Sequence, residues 1–119
     1  MSPRFDPLKF LSLAHELANQ NEESNLRSAV NRAYYAVFLI AREKTGVTDR
    51  KGVHKKVVKK LRRRRGYWAT AEKLHSLFRL RTVADYELVP VNPSDRNWFH
   101  NWSTTQALVD NILPKLQVL

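Results

Sequence analysis

The stretch Leu26–Ala41, LRSAVNRAYYAVFLIA, decides the fold. Leu26, Ala29, Val30, Ala33, Tyr34, Val37, Phe38 and Ala41 recur at alternating steps of three and one, or three and four, which is the spacing of one helical face. Tyr35, Leu39 and Ile40 widen that face beyond the roughly 100° stripe of an ordinary surface helix. A helix apolar over so much of its circumference has to be surrounded by other helices on most sides. Asn31 and Arg32 interrupt the run, and such groups are costly to bury unless hydrogen-bonded or paired. Either both sit at the edge of the arc and reach water along their stems, or they find partners within the protein.

Outward from this hub, every other segment also reads as helix or connection. Asp6-Pro7 has the pattern of an N-cap followed by proline at the first helical position, and Leu8, Leu11, Ala14 and Leu17/Ala18 continue at helical spacing to about Asn19. Asn21 to Ser24 form a short polar link, with Ser24 the expected cap of the hub helix and Gly46 its expected stop. So short a link implies an antiparallel hairpin of helices one and two. After a loop from Thr48 to Lys51, Val53, Val57, Val58 and Leu61 mark a narrow apolar seam on a third helix that ends at Gly66. A fourth helix, from Tyr67 or Trp68, carries Ala71, Leu74, Leu77, Phe78, Arg81 and Ala84 on one face. Glu87 to Pro93, with prolines at 90 and 93, is a loop. Ser94 or Asp95 is the expected cap of a last helix through Trp98, Phe99, Trp102, Ala107, Leu108, Ile112 and Leu116, with Pro114 expected to kink or shorten its end. No strand pattern and no repeat is present. The expected architecture is all-α, an up-and-down bundle of four to five helices forming one domain over residues 1–119.

Charge is distributed unevenly. The net charge is +10, and Arg50 to Arg65 hold ten Lys or Arg and no acid, which leaves the rest of the chain neutral. A polyanionic partner should be met on that run, by Lys55, Lys56, Lys59, Lys60, Arg62 and Arg63, which fall mostly off the apolar seam. The seam itself holds only Val and Leu, a weak anchor for a bilayer. No cysteine is present, so disulfides and thiolate metal sites are excluded, and no spacing of His, Asp and Glu suggests a metal site. No apolar run approaches the roughly 20 residues needed to span a membrane, and the N-terminus lacks a signal-peptide layout. The expectation is a cytoplasmic protein with no cofactor and no membrane partner.

Three motifs follow one another in order: Asn31-Arg32-Ala33-Tyr34-Tyr35-Ala36-Val37-Phe38, then Gly52-Val53-His54, then Arg81-Thr82-Val83-Ala84-Asp85-Tyr86. Together they resemble the HEPN-domain family of small prokaryotic toxin–antitoxin type, over about Leu26 to Glu87, half of the chain. The resemblance implies a helical bundle that pairs into a two-fold homodimer, often beside a small nucleotidyltransferase that serves as antitoxin. Many such proteins are metal-independent ribonucleases with an arginine followed a few residues later by histidine, facing its copy across the dimer cleft. Here the matching arginine is Arg81, and Tyr86 stands where the histidine is expected. Two readings therefore stay open. One is a ribonuclease toxin acting on RNA. The other is a non-catalytic HEPN dimer that binds RNA, nucleotide or a nucleotidyltransferase through the basic helix.

Metal-independent RNA cleavage needs a base for the 2′-hydroxyl, a cation for the charged phosphorane and an acid for the 5′-oxygen. The resemblance points to Arg81, and on this chemistry Arg81 is expected to clamp phosphate, Asp85 to orient Arg81 or take a proton, and Tyr86 to donate a hydrogen bond. The purely structural alternative is an Arg81–Asp85 i,i+4 pair that closes the helix end. Arg32 could pair with Asp85 or project into the same cleft, and His54 could cap the basic helix or support the site. Arg96 and His100 fall one turn apart and could reach one phosphate. His15 and His75 have no evident partner and read as surface or half-buried helix residues. Trp68, Trp98, Trp102 and Phe99 are either stacking platforms for bases or core and interface.

Overall fold

In the computed structural model, which describes residues 4–119, the chain is helical throughout, with no strand among the described residues. Residues 1–3, at the start of the expected 1–119 domain, lie outside the described residues. The helices are α1 (Leu8–Ala18), α2 (Glu23–Thr45), α3 (Val53–Arg63), α4 (Trp68–Tyr86) and α5 (Trp98–Gln117), with a 3-10 turn at Pro93–Asp95. None of them is long and apolar enough to cross a membrane.

The hub is α2, which packs against α1, α3, α4 and α5. Every residue of its expected core face is buried, and Ala36 joins them. Ala29, Ala33, Ala36 and Ala41 have no exposed surface, and such small side chains let neighbouring helices approach closely. The core is completed by Ala14 and Ala18 of α1, Leu74 and Leu77 of α4, and Ile112 and Leu116 of α5. By contrast α3 buries only Val57, Val58 and Leu61, so it lies on the bundle, chiefly against α4.

Helix ends depart from expectation at the start of α2, at the end of α3, which stops at Arg63 short of Gly66, and at both ends of α5. Asp6 does cap α1, accepting the Leu8 N–H at 3.0 Å, and Gly46 ends α2 with the left-handed φ of 71° that favours glycine. Ser24, however, does not cap α2. The chain reverses earlier, at Asn21 with φ 57°, so α2 begins at Glu23 and Ser24 falls inside its first turn. Neither Ser94 nor Asp95 caps α5. Both belong to the 3-10 turn, Asp95 is held by Arg79 at 2.8 Å, and Asn97 accepts the His100 N–H at 3.0 Å instead. Nor does Pro114 cut α5 short, since the helix continues to Gln117.

One side chain ties α2 to the far end of α4. Arg27 directs Nη1 at the carbonyl oxygens of Val83, Ala84 and Glu87, at 3.4, 3.2 and 2.7 Å, and Nη2 at Leu88 O, at 3.2 Å. Val83 O also accepts the Glu87 N–H at 3.1 Å, but Ala84 O is one of the last-turn carbonyls that lack a partner within a helix. The guanidinium supplies one, while also binding Glu87 O and Leu88 O just past the helix end. The same group lies over the Trp98 ring, 4.5 Å from its centroid, and pairs with Glu23.

Candidate functional site

The three motifs converge where α2, α3 and α4 meet. Arg81, on α4, is nearly enclosed, with 16% of its side chain exposed. Its guanidinium lies 5.4 to 5.9 Å from the ring centroids of Tyr34, Tyr35, Phe78 and Tyr86. Such a cage favours a cation electrostatically. Nη2 donates to Tyr35 Oη at 2.9 Å. Nε stands 3.0 Å from an Asp85 carboxylate oxygen, but its N–H is not aimed there, so this contact is an ion pair without a hydrogen bond.

Asp85 in turn accepts the Asn31 amide on both oxygens, at 3.2 and 3.0 Å. The expected Arg81–Asp85 pair is therefore present, tied to α2 through Asn31 on the Asp85 side and Tyr35 on the Arg81 side. Arg32 does not make that link. It lies at the rim of the same small pocket as Asp85, but its guanidinium sits over the Phe10 ring, 5.3 Å from the centroid. One residue along a helix is about 100° of rotation, enough to face α1 and not α4. Tyr86 is 72% exposed at the end of α4.

His54 enters the cluster from the first turn of α3. Its Nδ1 is 2.8 Å from Tyr34 Oη, and its ring stacks on Phe78 at 3.8 Å between centroids, 17° from parallel. Burial, with His75 and Arg81 adding positive charge nearby, lowers the His54 pKa from 6.5 to about 4, so the ring is neutral at pH 7. Burial also pushes the Tyr34 hydroxyl well above the usual tyrosine range, against the opposing effect of Arg81, and it keeps its proton. His54 Nε2 is 3.4 Å from His75 Nδ1. His75, read from the sequence as unpartnered, is thus part of the site. Its signal was its place three residues before Phe78, on the same face of α4.

A groove of about 540 Å³ opens beside this pair, with His54, Lys55, Arg62, His75 and Phe78 in its walls. His75 and Phe78 also wall a second groove of about 390 Å³ that runs toward Arg79. All six expected cations of α3 are exposed. Three are engaged: Lys56 with Asp49 and Arg62 with Glu72, each at 2.6 Å, and Lys60 with Thr45 O at 3.1 Å. The Lys56 contact holds the Asp49 carboxyl below its ordinary pKa. Lys55, Lys59 and Arg63 have no acidic partner among the described residues.

Arg96 and His100 stay apart from the cluster. Because Asn97 starts α5, Arg96 precedes the helix, and its Nε donates to Pro90 O at 2.8 Å. His100 faces a pocket shared with Ser76 and Arg79. Trp98 and Trp102 are core, whereas Trp68 and Phe99 are more than 60% exposed. Comparison of the chain with protein-family models, with curated proteins and with solved structures returns no match.

Proposed function

We propose that this chain is a HEPN-like RNA-binding protein that cleaves single-stranded RNA without a metal, as the toxin of a two-gene module in the cytoplasm. The observation that carries the reading is the position of the free cations. Lys55, Lys59 and Arg63 project from a helix whose first turn, at His54, forms the wall of a groove. Phosphates drawn to α3 by counterion release would bring a strand across that groove. Neutral imidazole suits proton transfer at neutral pH, and cations beside it suit a charged phosphorane.

The homodimer belongs to the same proposal. Tyr86, at the end of α4, and Leu88, Val89 and Val91 just after it expose apolar side chains in close succession, a strip of the kind that marks contact surfaces. A second copy closing over it would cover the Arg81 end of the cluster. A nucleotidyltransferase antitoxin would meet the molecule on the basic helix and quench it.

The test uses purified protein, labelled single-stranded RNA and EDTA. Cleavage that leaves a 2′,3′-cyclic phosphate is the expected result. Binding without cleavage would leave the non-catalytic alternative, in which the basic helix holds RNA or nucleotide, and absence of both would remove RNA from the reading.

A further inference from the structure

Three helices contribute to one line of hydrogen-bonding groups: Tyr34 from α2, His54 from α3 and His75 from α4. The inner end is buried, and Phe78 fixes the plane of the middle ring by stacking. The outer end, His75 Nε2, has no hydrogen-bond partner among the described residues and belongs to an exposed side chain on the wall shared by both grooves. None of these three residues is in the arginine motif. At that motif, Arg81 already engages Tyr35 and Asp85, and no histidine follows it.

From this geometry we infer that His75 is the general base of RNA cleavage, with Tyr34 and His54 as positioning residues that fix its ring and tautomer. The inference rests on the RNA-cleaving reading above and supplies the proton acceptor missing at position 86. In the working tautomer Tyr34 Oη accepts the Nδ1–H of His54, which leaves the Tyr34 O–H without an acceptor among the described residues. His54 Nε2 is then an acceptor for the Nδ1–H of His75, and the His75 Nε2 lone pair faces the groove. The reverse tautomer, with Tyr34 donating to Nδ1 of His54, puts the proton on His75 Nε2 and idles the base. The 3.4 Å separation of the two rings is long for a hydrogen bond, as catalytic contacts often are before substrate arrives.

In the reaction, His75 Nε2 takes the proton of a ribose 2′-hydroxyl. The 2′-oxygen forms a bond to phosphorus, and the bond from phosphorus to the 5′-oxygen breaks on the opposite side. A base on the attacking side cannot reach that leaving oxygen, so solvent water in the open groove protonates it. The hydroxide formed then removes the proton from His75, which restores the neutral ring. The products are a 2′,3′-cyclic phosphate and a 5′-hydroxyl. Lys55, on the same groove and without an acidic partner, offsets the charge that builds on the phosphorane.

The experiment follows a labelled single-stranded RNA oligonucleotide with the full chain in EDTA, measuring single-turnover cleavage and, separately, binding by fluorescence anisotropy. His75→Ala should lower the cleavage rate constant by about 100-fold or more with RNA affinity unchanged, and added imidazole should restore cleavage. His54→Gln and Tyr34→Phe should slow cleavage to a smaller degree, again without changing affinity. Tyr34→Phe removes a single oxygen and keeps the test open if His54→Gln does not fold. Wild-type cleavage that persists in His75→Ala, or that is lost there without imidazole rescue, overturns the inference and leaves the RNA-cleaving reading standing. Wild-type protein that binds RNA and leaves it intact overturns both.

Discussion

Replacing Arg27 by alanine should be the most damaging single substitution on the rim of this bundle. Nη1 has two hydrogens for three carbonyls and Nη2 serves a fourth, so the contacts amount to about three effective hydrogen bonds from a charged donor. At about 1.5 kcal/mol each, less about 1.5 kcal/mol of side-chain entropy regained on truncation, the loss is about 3 kcal/mol. The Glu23 pair is exposed on its acidic side and adds only tenths. For a domain of this size the melting temperature should drop by about 12 °C, at about 4 °C per kcal/mol. Arg27→Lys keeps the charge but not the fork and should fall between the two. Urea unfolding monitored by circular dichroism measures both. A loss under about 1 kcal/mol for Arg27→Ala would show that water replaces the guanidinium at the end of α4, and would remove Arg27 as the clamp.

Removing the charges of Lys55, Lys59 and Arg63 together should flatten the dependence of log affinity on log salt for single-stranded RNA by about 2, since each phosphate contact contributes about 0.7. An unchanged slope places the RNA elsewhere. The folded pKa of His54, about 4, lies below its ordinary 6.5, so the unfolded chain binds the extra proton. Stability is then complete above pH 6.5 and lost as pH falls toward 4. His54→Gln should lose that part of the acid dependence in urea titrations across this window. Asn97→Ala should cost about 1 kcal/mol as a lost N-cap, whereas Ser94→Ala should stay within about 0.5 kcal/mol. Equal effects would return the cap to the 3-10 turn.

Periodicity was sufficient for the five helices because a helix registers its buried face every three or four residues, and the breadth of the apolar arc on α2 implied that it touches the rest. The Arg81–Asp85 pair was legible for the same reason, being one turn apart. Contacts between helices left no such trace. Whether Asn31 or Arg32 meets Asp85 depends on the rotation of α2 against α4, which adjacent polar residues do not encode. For the start of α5 the expected caps were Ser94 and Asp95, and Asn97, which does the capping, was not among them. What decides it is Arg79, sixteen residues away, which takes the Asp95 carboxylate out of contention. His75 read as unpartnered and Arg27 was not singled out because each sits on an ordinary helix and owes its importance to a partner on another element.

On α3, Lys55 and Lys59, Lys56 and Lys60, and Lys59 and Arg63 stand four residues apart as like charges, over a seam of only three buried side chains. Each such pair disfavours the helix by a few tenths of a kcal/mol. The empty protein therefore carries an electrostatic load at the place where it would hold a polyanion, and occupancy there would relieve it. Added salt should then act in opposite senses on the two states, steadying the solitary chain while loosening its grip on a bound strand.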